Sequence, residues 1–210
     1  MVLTNYTPKH YFSDDINDKG WGCGWRCIQM LLSQYGIEKD IFTIAEEVKL
    51  LLGDDVVIDY ENKKINMADT YWVTMYLSSI YHQMGFSTTD VNMFTVESMS
   101  LLNDLFIMLQ THFLTQNSLV VVTAGGATAL ISGVRPAENG FDVYLIDPHI
   151  ETPEQNFEEL KEFGKGGRDW INIRDVILKG KNEIGIMDDN EFLLNSSCMF
   201  GFIIIKPLSS

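Results

Sequence analysis

The chain has 210 residues, 46% hydrophobic and 21% charged with five prolines, which suits one folded domain over 1–210 with a substantial core and no long disordered tail. Its 29 acidic against 15 basic residues give a formal charge of −14, a sign that disfavours nucleic-acid backbones and anionic membranes as partners. Three cysteines are too few and too odd for a secreted disulfide framework, and no uncharged apolar run approaches the roughly 20 residues of a membrane span.

In chain order, the first marked segment is "DKGWGCGWRCIQMLL", residues 18–32. From within it Trp25, Ile28, Leu32 and Tyr35 recur at helical spacing and Gly36 follows as a stop, predicting a buried helix from about 23 to 35. "DIFTIAEEVKLLLG" predicts a second helix ending at Gly53, and "MADTYWVTMYLSSIYHQMG" a third ending at Gly85. A fourth is expected over "TVESMSLLNDLFIMLQTHFL", capped by Thr95 or Ser98. The pattern then changes to short β-branched runs, "SLVVVTA", "ATALISGV" and "FDVYLID", which predict three successive strands. "TPEQNFEELKEFG" predicts a short helix with Thr152 as cap and Pro153 at its first position, and "MFGFIIIKP" a closing buried strand. Helices first and an antiparallel sheet after them make an α+β layout.

The chemistry concentrates on Cys23. A thiol is a nucleophile as thiolate, and a helix N-terminus with a nearby imidazolium lowers its pKa from about 8.5. Gly22 and Gly24 beside it leave room for a substrate backbone and for amides facing an oxyanion, and Trp21 and Trp25 are placed to wall a groove. The same residues also suit a tight glycine turn with two core-filling indoles. Cys27 shares the helix face four residues on, but no second compact pair of ligands accompanies it, so no metal or other cofactor is expected and Cys27 and Cys198 read as core thiols.

A base must come from His10, His82, His112 or His149. His82 and His112 sit inside helical patterns and His10 has no evident partner. His149 stands in "VYLIDPHI", two residues past Asp147, so in extended backbone the carboxylate and imidazole emerge on one face with Pro148 stiffening the exit. Asp147 can then orient the ring and His149 can take the thiol proton and return it to a leaving amine. Taken by itself "DPH" is equally a strand-to-turn punctuation. Combined with an early cysteine at a helix start, it gives the chain order of papain-like thiol enzymes.

With "GWGCGWR" and "LIDPHI" together, the chain resembles the ubiquitin-fold modifier specific cysteine proteases, papain-like enzymes with a "GWGCGYR"-type motif and a "DPH" pair, and more distantly the autophagin proteases. The resemblance runs from about Tyr11 to Lys206. It implies a papain-like fold with Cys23 as nucleophile, His149 as base, Asp147 as its orienting group, and Tyr11, twelve residues before the cysteine, as an oxyanion donor. It also matches Gly125 and Gly126 to the family's paired glycines before a strand, and implies a ubiquitin-fold modifier and its conjugates as partner. Trp25 stands where the family has tyrosine. An autophagin-like enzyme acting on a lipid-conjugated modifier, or a groove that binds a modifier tail without cutting it, are the competing readings. The opening "MVLTNYTPKHYF" does not read as a signal peptide, and a cytoplasmic monomer is expected.

Overall fold

The computed structural model describes residues 2–68, 70–83, 91–95, 102–116, 118–124, 126–160, 162–176 and 201–205. Helix α1, Cys23–Ser33, is buried continuously from Cys23 to Leu32, polar residues included, so it is a central helix rather than a surface one. Turns follow it as far as Gly36, whose φ of +72° is the left-handed conformation that glycine takes at little cost. Helix α2, Ile41–Leu52, turns Ile41, Ile44, Ala45 and Val48 inward. Asp40 starts it by accepting from the amides of Phe42 (2.9 Å) and Thr43 (3.0 Å), two of the donors a helix leaves unpaired. Helix α2 ends at Gly53 as the sequence predicts.

A two-stranded hairpin, β1 Ile58–Asp59 with β2 Lys64–Ile65, precedes helix α3, Thr70–Gln83. Gly85, its expected stop, lies outside the described residues. Strand β3, Val91–Thr95, comes next, and helix α4 covers Leu102–Thr115. Thr95, expected as a helix cap, instead lies in a strand, paired with Gly201. Ser98 is outside the described residues.

The predicted strands are β4 Val120–Ala124, β5 Ala127–Ala137 and β6 Gly140–Asp147, joined in sequence as antiparallel neighbours. Strand β7, Gly167–Asn172, pairs antiparallel with β6, and β8, Gly201–Ile205, lies between β3 and β4. The six-stranded order is β3-β8-β4-β5-β6-β7, with every neighbour antiparallel, which is the α+β layout expected. Strand β5 is the centre of the packing. It is buried from Ala127 to Gly133, on both of its faces, and both α1 and α4 contact it.

Among the described residues the helix predicted over 152–164 does not form; they make a series of turns. Thr152 offers its carbonyl to Gln155 in one of them, and the Gln155 side chain bonds the Glu151 amide (2.6 Å) and the Lys165 carbonyl (2.8 Å). The glycines after it supply the rest of the reason. Gly164, Gly166 and Gly167 have φ of +84°, +79° and +119°, and a side chain on Gly166 or Gly167 would collide with backbone at 2.5 Å and 2.3 Å. Tertiary contacts of this loop, taken up below, override its helical pattern.

Replacing Asp40 by Ala removes the α2 cap without touching the core. The expected outcome is a loss of about 1 kcal/mol in denaturant-derived stability with an unchanged unfolding slope.

Candidate active site

Three segments converge on the start of α1. Cys23 is the first residue of the helix, so its amide has no acceptor within the helix and the positive end of the helix dipole lies at its sulfur. Asp147 is the last residue of β6, fully buried, and His149 follows Pro148 just beyond it. Tyr11 comes from the N-terminal arm, whose backbone is fastened to the same turn by the Tyr11 amide on the Pro148 carbonyl (2.9 Å). Its ring meets the His149 imidazole edge-on at 5.2 Å.

Asp147 Oδ1 bonds the Nδ1 of His149 and accepts the His149 amide at 3.1 Å. Its other oxygen accepts the amides of Gly164 (2.6 Å) and Gly166 (3.4 Å). A carboxylate with no access to water is thus provided with four donors, which is the condition for burying it. This is the contact that turns residues 152–164 away from helix, and the glycines at 164 and 166 are what bring the amides within reach.

With Nδ1 committed to Asp147, the hydrogen bond of His149 to Cys23 runs through Nε2. Burial by itself would raise the Cys23 pKa. The hydrogen bond and charge of His149, the Thr128 amide on β5 and the Tyr11 hydroxyl outweigh it and hold the thiol below its ordinary value. For His149 burial acts in the opposite direction, yet the bonds to Asp147 and Cys23 push the imidazole up to about 10. Both shifts favour a thiolate beside an imidazolium. Burial, followed by the neighbouring Cys23 and Asp147 charges, pushes the Cys27 thiol well up instead, as suits a core thiol.

The structure brings together Cys23, Asp147, His149 and Tyr11. The flanking residues have packing reasons of their own. Gly22 is small because of Asp18, whose Oδ2 lies 2.0 Å from where a Cβ would stand, and Gly24 because of Ala68, at 3.0 Å. Trp25, expected as a groove wall, is fully buried with its indole N–H on the Asn66 carbonyl (2.9 Å). Trp21 is 8% exposed and Cys23 itself only 3%, so access to the sulfur is narrow. Gly126, at φ +76°, turns the chain into β5 two residues before the Thr128 amide; Gly125 is outside the described residues.

Of the other histidines, His10 bonds the Tyr11 carbonyl (2.6 Å) and packs on Phe157, His112 is buried against Ser118, and His82 is exposed. Cys198 lies outside the described residues. Among the described residues no group of three or more His, Cys, Asp and Glu could hold a metal ion. The Thr128 amide and the glycine amides on Asp147 went unrecognised in the sequence, because a backbone donor leaves no mark in residue type.

A thiol heading a buried helix, with an Asp-held imidazole from the sheet, on an α+β frame, has the layout of the papain-like fold. The solved structure of UfSP from C. elegans matches 100% of this chain and 34% of its own, with a TM-score of 0.64 at 16% identity, and it has that fold. The model of peptidase family C78 matches residues 1–184, and the chain belongs to that family. A probable Ufm1-specific protease 2 of Drosophila pseudoobscura pseudoobscura is 27% identical over 152 residues, covering 71% of this chain and 24% of the relative. A probable Ufm1-specific protease of Oryza sativa subsp. japonica is 25% identical over 173 residues (80% and 26%). Ufm1-specific protease 2 of Danio rerio is 26% identical over 155 residues (71% and 37%). The chain spans between about a quarter and somewhat over a third of the length of these relatives.

The paired shifts fix a pH signature. Alkylation of Cys23 by iodoacetamide should remain fast well below the ordinary thiol range and decline only as pH falls through the lowered thiol pKa. His149→Ala should move that decline upward, toward the roughly 8.5 of a free cysteine. A profile identical in the two proteins would remove the thiolate–imidazolium pair.

Proposed function

We propose that this chain is a thiol protease that cleaves after the C-terminal glycine of a ubiquitin-fold modifier of the Ufm1 type, from a precursor or from a lysine conjugate. The observation that carries the reading is the unbroken run of contacts from Asp147 through His149 to Cys23 at the start of α1. The names of the relatives support the modifier as substrate.

In this reading the Cys23 thiolate attacks the glycine carbonyl carbon, forming a C–S bond while the carbonyl electron pair moves onto oxygen. The Cys23 amide, unpaired within the helix, and the Tyr11 hydroxyl stabilise that oxyanion. Its collapse breaks the C–N bond, and the His149 imidazolium gives its proton to the departing amine. Water, deprotonated by the now neutral His149, then attacks the thioester, releasing the carboxylate and restoring the thiolate. Asp147 keeps Nδ1 engaged throughout, so Nε2 stays on the reacting side. The small exposure of Cys23 and Trp21 suits a tail without side chains, which passes where bulkier peptides clash.

The test is a glycine-ended modifier carrying a C-terminal electrophile. It should form a covalent adduct with the wild-type chain at neutral pH and none with Cys23→Ala; binding without an adduct would identify a non-catalytic module, and reaction only with the autophagy modifier would identify the autophagin-like reading. Turnover should vanish in His149→Ala and persist in His82→Ala, whose side chain is exposed. Tyr11→Phe should lower kcat by about 100-fold, in line with loss of one oxyanion donor, with KM nearly unchanged. A Tyr11→Phe enzyme of wild-type kcat would remove Tyr11 from the site.

A further inference from the structure

Arg26 is a charged residue in the first turn of a helix from which water is excluded, and it is itself 0% exposed. All three nitrogens of its guanidinium are nonetheless engaged. Nε donates to Asp18 Oδ2 (2.7 Å), Nη1 to Asp14 Oδ2 (2.7 Å) and Gln29 Oε1 (2.8 Å), and Nη2 to the Ser13 carbonyl (2.7 Å). Asp18 is equally buried, and its second oxygen accepts the Phe12 amide at 2.9 Å. The Asp18 carbonyl takes the amides of Trp21 (3.2 Å) and Gly22 (2.8 Å). One carboxylate therefore spans the arm at residue 12 and the helix at residue 26.

The arm needs such a hold. Phe12, Asp14 and Asp15 have φ of 68°, 61° and 57°, a left-handed conformation that is unfavourable for a residue with a side chain and persists only where neighbours impose it. Arg26 and Asp18 bond the arm at Ser13, Asp14 and Phe12, which brackets the strained turn. Tyr11 is the residue before it. A buried ion pair adds little net stability, and its use is to fix one geometry among several.

We infer that Asp18 and Arg26 are a positioning pair that indexes the N-terminal arm to helix α1 and so sets the Tyr11 hydroxyl at the Cys23 sulfur. Neither residue reaches substrate, and both act through Tyr11. Gly22 belongs to the same device, since any side chain there would displace Asp18. The inference rests on the protease reading for its catalytic consequence, but not for its structural one.

Asp18→Asn keeps the size of the side chain, and whichever way the amide is turned it presents its NH₂ either to Arg26 or to the Phe12 amide. Gly22→Ala displaces Asp18 with no change of charge. Both variants should lower kcat by on the order of 10- to 100-fold with KM nearly constant. Both should leave the pH profile of Cys23 alkylation largely in place, because His149 and Asp147 are untouched. In a Tyr11→Phe background the added effect of Asp18→Asn should shrink to about twofold. A separate reading, free of turnover, uses the chain labelled with 3-fluorotyrosine, with the Tyr11 resonance assigned by its loss in Tyr11→Phe. That ¹⁹F resonance should shift in Asp18→Asn and Gly22→Ala, and stay fixed in Asp40→Ala. Losses that multiply across the Tyr11→Phe background, or a Tyr11 resonance indifferent to both variants, would overturn the positioning role. A wild-type chain without turnover whose Tyr11 resonance still responds would overturn the protease reading and leave the positioning intact. If Asp18→Asn fails a thermal melt, Gly22→Ala carries the same comparisons.

Discussion

The constraint on which the rest of the structure depends is that α1 has no solvated face. Ten consecutive residues, Cys23–Leu32, are out of water, so every polar group among them must be satisfied by the protein around it. The Arg26 guanidinium recruits the N-terminal arm, Gln29 reaches the Lys39 carbonyl, and the sulfur of Cys23 is met by groups from the arm, β5 and the segment after β6. Packing imposes the rest. Gly24 allows Ala68 to close against the helix, and Trp25 fixes the loop at Asn66. A helix enclosed in this way carries its first residue to one place only, which is what a reaction at a single sulfur demands.

Burial also explains why the electrostatics of the site are strong. In water an imidazole and a thiol beside one another would influence each other little, because the solvent screens both. Here desolvation works against both charges, and both charges still win, because each is the other's partner and Asp147 supplies a third member with its own four donors. The 164–167 loop is therefore as much part of the arrangement as the three side chains. The segment leading into it forgoes a helix its sequence could support so that this loop can hold a carboxylate.

How far the sequence revealed this depended on the range of the signal. The helix start at Cys23, the stop of α2, and the strands β4–β6 follow from periodicity and punctuation over a few residues, and the structure has them. Asp147 and His149 were legible because two residues of extended backbone bring them together. Strand β3 lies in "VNMFT", a stretch too short and too mixed to carry a strand signal of its own, and β7 begins in glycines that suggest a loop. The turns of 152–164 depend on a carboxylate seventeen residues before Gly164, a distance at which local pattern is silent. Arg26 left one readable sign, a charge within an otherwise enclosed helix, which demands a partner; that the partner is Asp18, and that Gly22 is small to admit it, needs the fold. The two indoles and the glycines near Cys23 suit a groove or a tight turn with core-filling rings, and the fold adds that Trp25 is buried and Gly24 packs on Ala68.

Cys23 and Cys27 lie one turn apart on the same helix, about 6 Å along its axis. The helix field fades within its first turn, and only the upper sulfur meets an imidazolium, so one thiol is driven toward its anion and the other away from it. Two chemically identical groups thus differ in redox susceptibility by position alone. An oxidant such as hydrogen peroxide, which attacks the anionic form, would take Cys23 to the sulfenic acid first. Cys27, buried and held as the thiol, is a poor resolving partner for it.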